Sequence, residues 1–451
     1  MPRAAFVWVI LLSSSTFLSP QTPANPNQKF VSIPLADVLP KALARSSLTA
    51  PKAEPFHIKL KVRDVLDENS FRQAEIEEYW LSPTLWKRIV TAPNLRQVTT
   101  HNASGLHYET TGDYFPQWLS MFVTAIEDPV PANRWAQPGL HLQQRELSPG
   151  VPPVACAAVN IHLTETAAPF ATLCFSNTKD VLLPTITGPD YQMKFNNYQR
   201  FGDKFVPHLY ISRLLNTLLV GNIELLEPAK EKEDFFATPA SAVDVNPLAS
   251  FTIAATTVQK MAKPHGEIAW PSVPKGKTSG NITLLVSVDN LGETKEVSVL
   301  NSDNARLNEF AREQVLHFLW ITAKTKAGDP IQISGPYTLP FQTTIKNQPE
   351  NLAAVSLSTD ELRRHVLSQI KPIYPASATV QHLSGMVYLY AKIATDGSVS
   401  RVVVIESSNP SFTKPALDAV KQWKYQPYLL DGIPVEVNTM ITVVFNAAGG
   451  F

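Results

Sequence analysis

Acidic side chains and histidines are the residues of this 451-residue sequence that could perform acid–base or metal chemistry. Glu75, Glu77 and Glu78 place three carboxylates in one strand-like segment, but acid–base catalysis also needs a partner with a shifted pKa. Three histidines lie on or near strand-like segments of the same region: His57, His101 and His107. Such dispersed histidines are more often solvated or hydrogen-bonded than metal-bound. Phosphate-binding glycine loops, His-Glu-x-x-His helices, Gly-x-Ser-x-Gly turns and Cys-x-x-Cys pairs do not occur, so we predict no enzyme activity, no cofactor and no metal site.

The two cysteines are spaced for a disulfide. Cys156 and Cys174 lie in consecutive strand-like segments, and their midpoint falls in the expected turn at residues 164–169. Simple hairpin pairing would place them opposite each other, with Cα atoms about 4.5 to 5.5 Å apart, which is within disulfide range. We predict a Cys156–Cys174 disulfide. The alternative is a pair of buried free thiols in adjacent strands.

The elements that position these residues are mostly antiparallel strands. Residues 54–225 contain short runs of alternating apolar and polar residues, beginning with Phe56, Ile58, Leu60 and Val62. One helix is predicted between residues 116 and 126, with one apolar face: Trp118, Leu119, Phe122, Val123 and Ile126. Residues 226–250 are charged and contain proline, and are predicted to be a linker.

The last eighty or so residues show a clear strand, strand, helix, strand order. Alternating residues from Val387 precede an Asp396-Gly397 turn, and a β-branched strand follows it, which predicts a hairpin. Thr413 is predicted to cap a helix with Pro415 in its first turn. The apolar face of this helix contains five residues: Ala416, Leu417, Ala419, Val420 and Trp423. A final strand is predicted at residues 435–445.

These motifs, in this order, resemble the TonB C-terminal domain over residues 371–446, within a predicted domain at 358–446. The resemblance rests on paired and single residues along the module: Tyr374-Pro375, Gly385, Asp396-Gly397, Ser407-Ser408, Trp423, Pro427 and Phe445. It implies binding to an outer-membrane transporter, whose short peptide pairs with an exposed strand. The residues that match the binding segments are Tyr374, Pro375, Pro434, Val435, Val437, Thr439, Ile441, Val443 and Phe445.

We expect the final strand to pair beside the first strand of the hairpin, which leaves its other side open as a sheet edge. Glu436 is the only charged residue in it. The alternative is that this edge pairs with a second copy of the chain or with the segment before Tyr374.

The same pattern occurs upstream at an offset of about 105 residues. Gly292 matches Gly397, and Phe318 and Trp320 stand where Trp423 and Tyr425 stand. Because the shared positions are core positions, we predict a second, degenerate TonB-like ββαβ module at residues 268–342. It has a Trp-Pro pair in place of the Tyr-Pro pair.

The N-terminal region resembles, more weakly, the open half-barrel of the LolA/LolB-type lipoprotein carriers. By that resemblance, a cavity lined by aromatic side chains could hold a lipid or acyl chain: Trp80, Trp86, Trp118 and Phe122. The alternative is that these rings fill the core between sheet and helix.

The first 24 residues predict export. Arg3 precedes an apolar run at residues 4–12 and then a polar stretch, which is typical of a signal peptide. The run is shorter than the roughly 20 residues that span a bilayer, and an uncleaved anchor is the alternative. The 39 basic residues equal the 39 acidic ones, so the net charge does not favour nucleic acid as a partner.

Together these observations predict an α+β protein with an antiparallel, half-barrel-like N-terminal domain followed by two ββαβ modules. The predicted function is that of an exported, periplasmic or envelope-associated protein that binds a peptide of an outer-membrane transporter or other envelope protein. The alternative function is a lipid or lipoprotein carrier.

Overall fold

The computed structural model divides into two compact units, Met1–Asn347 and Gln348–Phe451. The described residues are 32–49, 53–66, 70, 72–127, 141–145, 154–159, 171–178, 181–187, 191–214, 217–346, 354–357, 362–380, 383–430 and 432–445. The predicted signal peptide, residues 1–24, lies outside them. In the described part of the chain, no helix combines the length and the apolar character needed to cross a membrane.

The first unit begins with a thirteen-stranded sheet and two helices. Its elements in chain order are β1 (Ser32–Pro34), α1 (Leu35–Ser46), β2 (Phe56–Asp64), β3 (Ala74–Ser82), β4 (Leu85–Ala92), β5 (Leu95–Asn102), β6 (Gly105–Thr111), α2 (Gln117–Glu127), β7 (His141–Arg145), β8 (Val154–Val159), β9 (Ala171–Thr178), β10 (Val181–Thr187), β11 (Tyr191–Phe201), β12 (Lys204–Leu214) and β13 (Thr217–Pro228). The strand order is β1-β7-β8-β9-β10-β11-β12-β13-β2-β3-β4-β5-β6. The strand-rich, antiparallel α+β architecture is therefore confirmed.

Helix α2 lies at the centre of the core of this sheet. Its apolar face and side chains from β2 to β5 and β11 to β13 form one cluster, so the sheet wraps around the helix. Gly221 on β13 makes room for the helix, because a Cβ there would lie 2.9 Å from a ring carbon of Phe122. The four aromatic residues suggested as a lipid-binding lining are at most 7% exposed and belong to this cluster: Trp80, Trp86, Trp118 and Phe122. These positions agree with the core-packing alternative, and a lipid site remains only a prediction.

Residues 226–250, predicted to be a linker, pack against the sheet. Strand β13 continues to Pro228, which pairs with Phe56. Beyond it, Tyr108 and Val243 exchange two backbone hydrogen bonds of 2.8 and 2.9 Å. Leu248 is buried in the core. A few apolar residues therefore anchor a segment whose composition is otherwise that of a linker.

A second sheet completes the first unit. Its elements are β14 (Ser250–Thr252), α3 (Ala255–Met261), β15 (Ser279–Val288), β16 (Thr294–Ser302), α4 (Asn308–Leu316), β17 (Ala323–Lys324) and β18 (Pro330–Gln342). The strand order is β14-β18-β15-β16, with β17 beside β18. The expected strand at 281–288 lies within β15, and α4 lies in the region between 304 and 318 where a helix was expected. We call residues 249–342 the middle module.

The second unit contains β19 (Val355–Ser356), β20 (Val366–Ser368), α5 (Ala376–Val380), β21 (Gly385–Ile393), β22 (Val399–Ser407), α6 (Pro410–Val420), β23 (Lys424–Tyr425), β24 (Leu429–Leu430), β25 (Ile433–Pro434) and β26 (Val437–Phe445). Its main sheet has the order β19-β26-β21-β22, and β20-β23 and β24-β25 form small ladders. We call residues 353–446 the C-terminal module.

Helix α6 begins earlier than predicted. The cap is Asn409, whose side chain accepts a hydrogen bond of 2.9 Å from the Ser411 N–H, and Pro410 occupies the first turn. Thr413 therefore lies inside the helix. Phe412, in the added turn, stacks on Phe445 of the last strand with ring centroids 4.4 Å apart. This contact fixes the helix against the end of β26.

Candidate partner-binding site

Strand β26 is paired fully on one side and partly on the other. Its antiparallel register with β21 runs from Gly385 opposite Phe445 to Ile393 opposite Val437, as expected for the first and last strands of the module. On the other side, the short strand β19 pairs in parallel with residues 437 and 438. Among the described residues, no strand pairs with that side of residues 440–445. The segment before Tyr374 thus covers the start of the edge, as the alternative interpretation proposed, and none of the described strands pairs with the rest of it.

The pairing with β19 shows which backbone groups face outward. The N–H of Val355 donates to the carbonyl of Glu436 at 2.8 Å, and the N–H of Leu357 donates to that of Asn438 at 3.1 Å. Successive peptide groups of a strand point to opposite sides, so the even-numbered residues continue the outward row. Beyond Asn438 that row consists of Met440, Thr442 and Val444.

The odd-numbered residues of β26 pair with β21 within the sheet instead. Thr439, Ile441 and Val443 direct their backbone groups toward β21, and their side chains are at most 5% exposed. They were predicted to contact a partner. The structure places them in β26, and the backbone groups that face away from β21 belong to their even-numbered neighbours. A role of Thr439, Ile441 and Val443 in binding a partner stays a prediction. Val437 and Phe445 are likewise buried.

Pro434 and Val435 lie before the edge strand. Pro434 pairs with Leu429 in the β24-β25 ladder. The buried Val435 donates its N–H to the carbonyl of Tyr428 at 3.0 Å. The structure therefore does not bring these two residues to the open part of the edge.

The Tyr374-Pro375 pair supports the strand from the core. The ring of Tyr374 lies 5.9 Å from that of Phe412 and 6.2 Å from that of Phe445, and its hydroxyl donates to the carbonyl of Leu383. The carbonyl of Pro375 accepts the first hydrogen bond of α5, from Ala378. The pair thus fastens the chain before β21 against the end of β26.

Charges at the covered end of the edge are neutralised locally. Glu436 forms an ion pair with Lys392 of β21. Next to them, the Tyr390 hydroxyl donates to Asn438 Oδ1 at 2.7 Å. Burial raises the pKa of Tyr388, on the same strand, to about 12, so this phenol is neutral at physiological pH. What the open part offers a ligand is a row of backbone donors and acceptors, the chemistry that binds an extended peptide.

Residues 370–447 match the family model described as Gram-negative bacterial TonB protein C-terminal. The predicted TonB resemblance is confirmed for this module. A relative, Protein TonB of Vibrio cholerae serotype O1 (strain ATCC 39315 / El Tor Inaba N16961), is 31% identical over 85 residues, which are 19% of this chain and 35% of the relative. The chain thus spans about a third of the length of the curated TonB that it matches.

Two solved structures are similar to parts of the chain. The solution NMR structure of the Pseudomonas aeruginosa TonB CTD is 24% identical and covers 18% of this chain and 83% of its own, with a TM-score of 0.17. The crystal structure of a LolA superfamily protein from Nitrosomonas europaea is 11% identical and covers 45% of this chain and 97% of its own, with a TM-score of 0.30.

The polar residues considered for catalysis or metal binding have separate partners. Glu75 pairs with Lys59 at 2.8 Å, and Glu77 lies 2.9 Å from His57. The buried Glu78 pairs with Arg88 at 2.9 Å. His101 contacts the ring of Trp86, and His107 contacts the carboxylate of Asp244. In the described part of the chain, His, Cys, Asp and Glu do not form a group of three that could hold a metal ion.

The cysteines are opposite each other in the sheet. The register of β8 and β9 pairs Cys156 with Cys174, which is the alignment that the hairpin argument predicted. Side chains of these two strands lie outside the described part of the structure. The disulfide itself therefore stays a prediction.

Strand β19 is the element of the candidate site that sequence reasoning missed. It has only two residues, too few for an alternation pattern. A signal was nevertheless present in the repeat. Leu-Ala-Ala-Val-Ser-Leu at residues 352–357 matches Leu-Ala-Ser-Phe-Thr-Ile at residues 248–253, at an offset of 104.

Proposed function

We propose that this protein is an exported component of the cell envelope whose TonB-like C-terminal module binds an extended peptide of an outer-membrane or periplasmic partner. The peptide adds as a strand to β26 over residues 440–445. The observation that carries this proposal is the direction of the β26 backbone, in which Thr442 and Val444 continue the outward row of Asn438 past the last pairing with β19. The family match over residues 370–447 supports the same strand as the contact.

The energetics of an open edge favour this role. An exposed, largely apolar strand edge is a template for pairing, and proteins usually protect such edges with charge, proline or a cover. From Met440 to Phe445 the strand has neither a charged residue nor a proline. An incoming strand would satisfy the outward N–H groups, each bond contributing about 1 kcal/mol, and side-chain contacts would add selectivity.

The test is a proline on the outward row. Thr442→Pro removes an outward N–H that the strands described here do not use, so we expect binding to outer-membrane extract to be lost while the melting temperature changes little. Thr442→Ala is the matched control, because it removes the side chain and keeps the N–H. It should bind as the unaltered chain does.

Hydrogen exchange separates strand addition from other kinds of binding. In the complex, the amides of Thr442 and Val444 should become protected, whereas those of Ile441 and Val443 are already bonded within the sheet and should change little. Binding that leaves these two outward amides unprotected, or that survives in Thr442→Pro, would contradict strand addition at this edge.

A further inference from the structure

Three short segments of the middle module pair with one another in a small ladder. In spatial order, they are residues 261–263, 319–321 and 291–293. The N–H of Ile321 donates to the carbonyl of Met261 at 2.7 Å, and the N–H of Trp320 donates to that of Gly292 at 2.8 Å. Trp320 also lies opposite Ala262 in an antiparallel bridge. These contacts fix which side chains are neighbours on each face of the ladder.

The outward face of this ladder is apolar. Trp320 is fully buried, so its neighbours Leu319 and Ile321 point the opposite way, and they are 54% and 53% exposed. The bridge between Glu293 and Leu319 brings Leu291 beside Ile321. Leu291 is 65% exposed. We call these three neighbouring side chains the apolar patch: Leu291, Leu319 and Ile321.

The C-terminal module has the same ladder with polar side chains at these positions. The N–H of Tyr425 donates to the carbonyl of Gly397 at 2.9 Å, and that of Gln426 donates to the carbonyl of His365 at 2.7 Å. These are the counterparts of the two hydrogen bonds in the middle module. The positions that match the apolar patch have polar residues: Asp396, Lys424 and Gln426. The ladder therefore forms without exposed apolar side chains, so the fold does not account for the patch.

Exposed lysines flank the apolar patch. Lys263 lies within the ladder, Lys260 precedes it and Lys324 follows it, and all three are exposed. Three residues of extended chain span at most about 11 Å, so Lys260 and Lys324 lie close to the ladder. The one acidic residue of the three segments is Glu293, which pairs with Lys295 at 2.8 Å. The surface around the patch is therefore positively charged.

An anionic lipid surface matches this combination better than a folded protein does. Apolar side chains that project between cations are typical of proteins that bind at the membrane interface, where lysines are attracted to anionic headgroups. A standard protein interface buries roughly 800 Å² on each partner, which three aliphatic side chains do not approach. The centres of protein interfaces are also enriched in aromatic residues and depleted of lysine, whereas the patch has no aromatic residue and is flanked by lysines.

We propose that the middle module docks on an anionic lipid surface through the apolar patch. The three apolar side chains enter the boundary between headgroups and acyl chains, and Lys260, Lys263 and Lys324 contact the headgroup phosphates. This inference goes beyond strand addition at β26 and does not depend on it, because the patch lies in the other module.

The test is co-sedimentation of the full chain with vesicles of phosphatidylcholine and phosphatidylglycerol in equal amounts. A triple variant combines Leu291→Asp, Leu319→Lys and Ile321→Gln, the residues that the same ladder carries in the C-terminal module. It adds one acidic and one basic residue, so the net charge is unchanged. Because each apolar side chain is about half exposed, its burial should contribute about fivefold to the partition coefficient, and the triple variant should bind about a hundredfold more weakly.

The lysines are tested separately. Lys260→Gln combined with Lys263→Gln keeps the apolar patch and removes two charges, so binding to the mixed vesicles should fall about twentyfold at low salt. Binding of the unaltered chain should weaken as the salt concentration rises. The controls are Ile345→Gln and Lys346→Gln. These residues are also exposed, but lie beyond the end of β18 opposite to the one that pairs with Lys324, so both variants should bind as the unaltered chain does.

The outcomes separate lipid docking from other uses of the patch. Equal binding by the triple variant and the unaltered chain would overturn the role of the patch. Equal binding to vesicles of phosphatidylcholine alone and to mixed vesicles would overturn the role of the lysines. An unaltered chain that is a dimer in solution, with a monomeric triple variant, would assign the patch to a second copy of the chain. Thr442→Pro should bind vesicles undiminished, and a loss there would overturn the assignment to the middle module.

Discussion

The carboxylate of Glu296 joins the middle module to helix α2 of the large sheet, and its removal should measurably destabilise the first unit. Glu296 lies on β16, and its Oε2 accepts a hydrogen bond of 2.7 Å from the N–H of Gln117, the first residue of α2. The hydroxyl of Tyr114 donates to the same oxygen. A carboxylate at the start of a helix also interacts favourably with the helix dipole. Around this contact, Ser287 of β15 donates to Gln117 Oε1 at 2.6 Å.

The size of the effect follows from the groups left behind. Glu296→Ala leaves the N–H of Gln117 and the hydroxyl of Tyr114 without their acceptor, at about 1 to 3 kcal/mol for each unsatisfied buried group. We expect a loss of about 2 to 4 kcal/mol in the free energy of unfolding, since the smaller side chain admits some water. Glu296→Gln keeps one acceptor oxygen for these two donors, so its loss should be clearly smaller than that of Glu296→Ala.

Burial raises the pKa of Glu296 above its ordinary value of 4.5, an effect that outweighs the hydrogen bonds from Tyr114 and Gln117. The folded chain therefore holds this proton more tightly than the unfolded chain. By linkage, the contribution of Glu296 to stability should fall as pH rises from about 4.5 through the raised pKa. Glu296→Gln has no such proton, so the stability difference between the two proteins should shift in favour of the variant over that range.

Urea unfolding at a series of pH values, followed by tryptophan fluorescence, measures both effects, because Trp118 lies in the first turn of α2. If Glu296→Ala lowers the free energy of unfolding by less than about 0.5 kcal/mol, the loss is no larger than that of an ordinary surface substitution. The hydrogen bonds of Glu296 would then not stabilise the first unit. Parallel pH profiles for Glu296→Gln and the unaltered chain would show that the carboxylate does not titrate as its burial requires.

Two further predictions concern covalent and backbone structure. Free-thiol titration of the unfolded, unreduced protein should find no reactive thiol if Cys156 and Cys174 are bonded, and two reactive thiols would refute the disulfide. Gly397→Ala should cost at least about 2 kcal/mol in the free energy of unfolding, because Gly397 has a φ of +81° and an added Cβ would lie 1.9 Å from the carbonyl oxygen of Tyr425. Gly432→Ala is the control for backbone strain alone. Gly432 has a φ of +83°, and no atom lies within 4 Å of the added Cβ, so this variant should lose about 1 kcal/mol in the free energy of unfolding. Equal losses of stability in both variants would show that the close approach to Tyr425 adds nothing to the cost of replacing Gly397.

The elements predicted best were those whose periodicity is produced by a buried face. Strand β21 was predicted from the alternation that starts at Val387, because Val387, Leu389 and Ala391 are buried in the same cluster as α6. Strand β5, in contrast, has buried residues on both faces and so shows no alternation. Helix α1 contains Pro40, which obscures its pattern. Both were missed because their sequences carry no one-sided signal.

The candidate binding edge is harder to predict, since it depends on backbone direction and not on side-chain burial. The repeat comparison predicted a second module because Val315 and Val420, like other matched residues, are buried at corresponding positions in the separate cores of the middle and C-terminal modules. The replacement of Pro336 by Met440 and of Pro340 by Val444 looks, in sequence alone, like ordinary divergence. It becomes meaningful only when the register with β14 and β19 shows that these are the outward residues, where a proline closes an edge and any other residue leaves it open. A single shift of that register would turn the same prolines inward, where they would break the sheet, so the prolines themselves are independent evidence that the outward row has been assigned correctly.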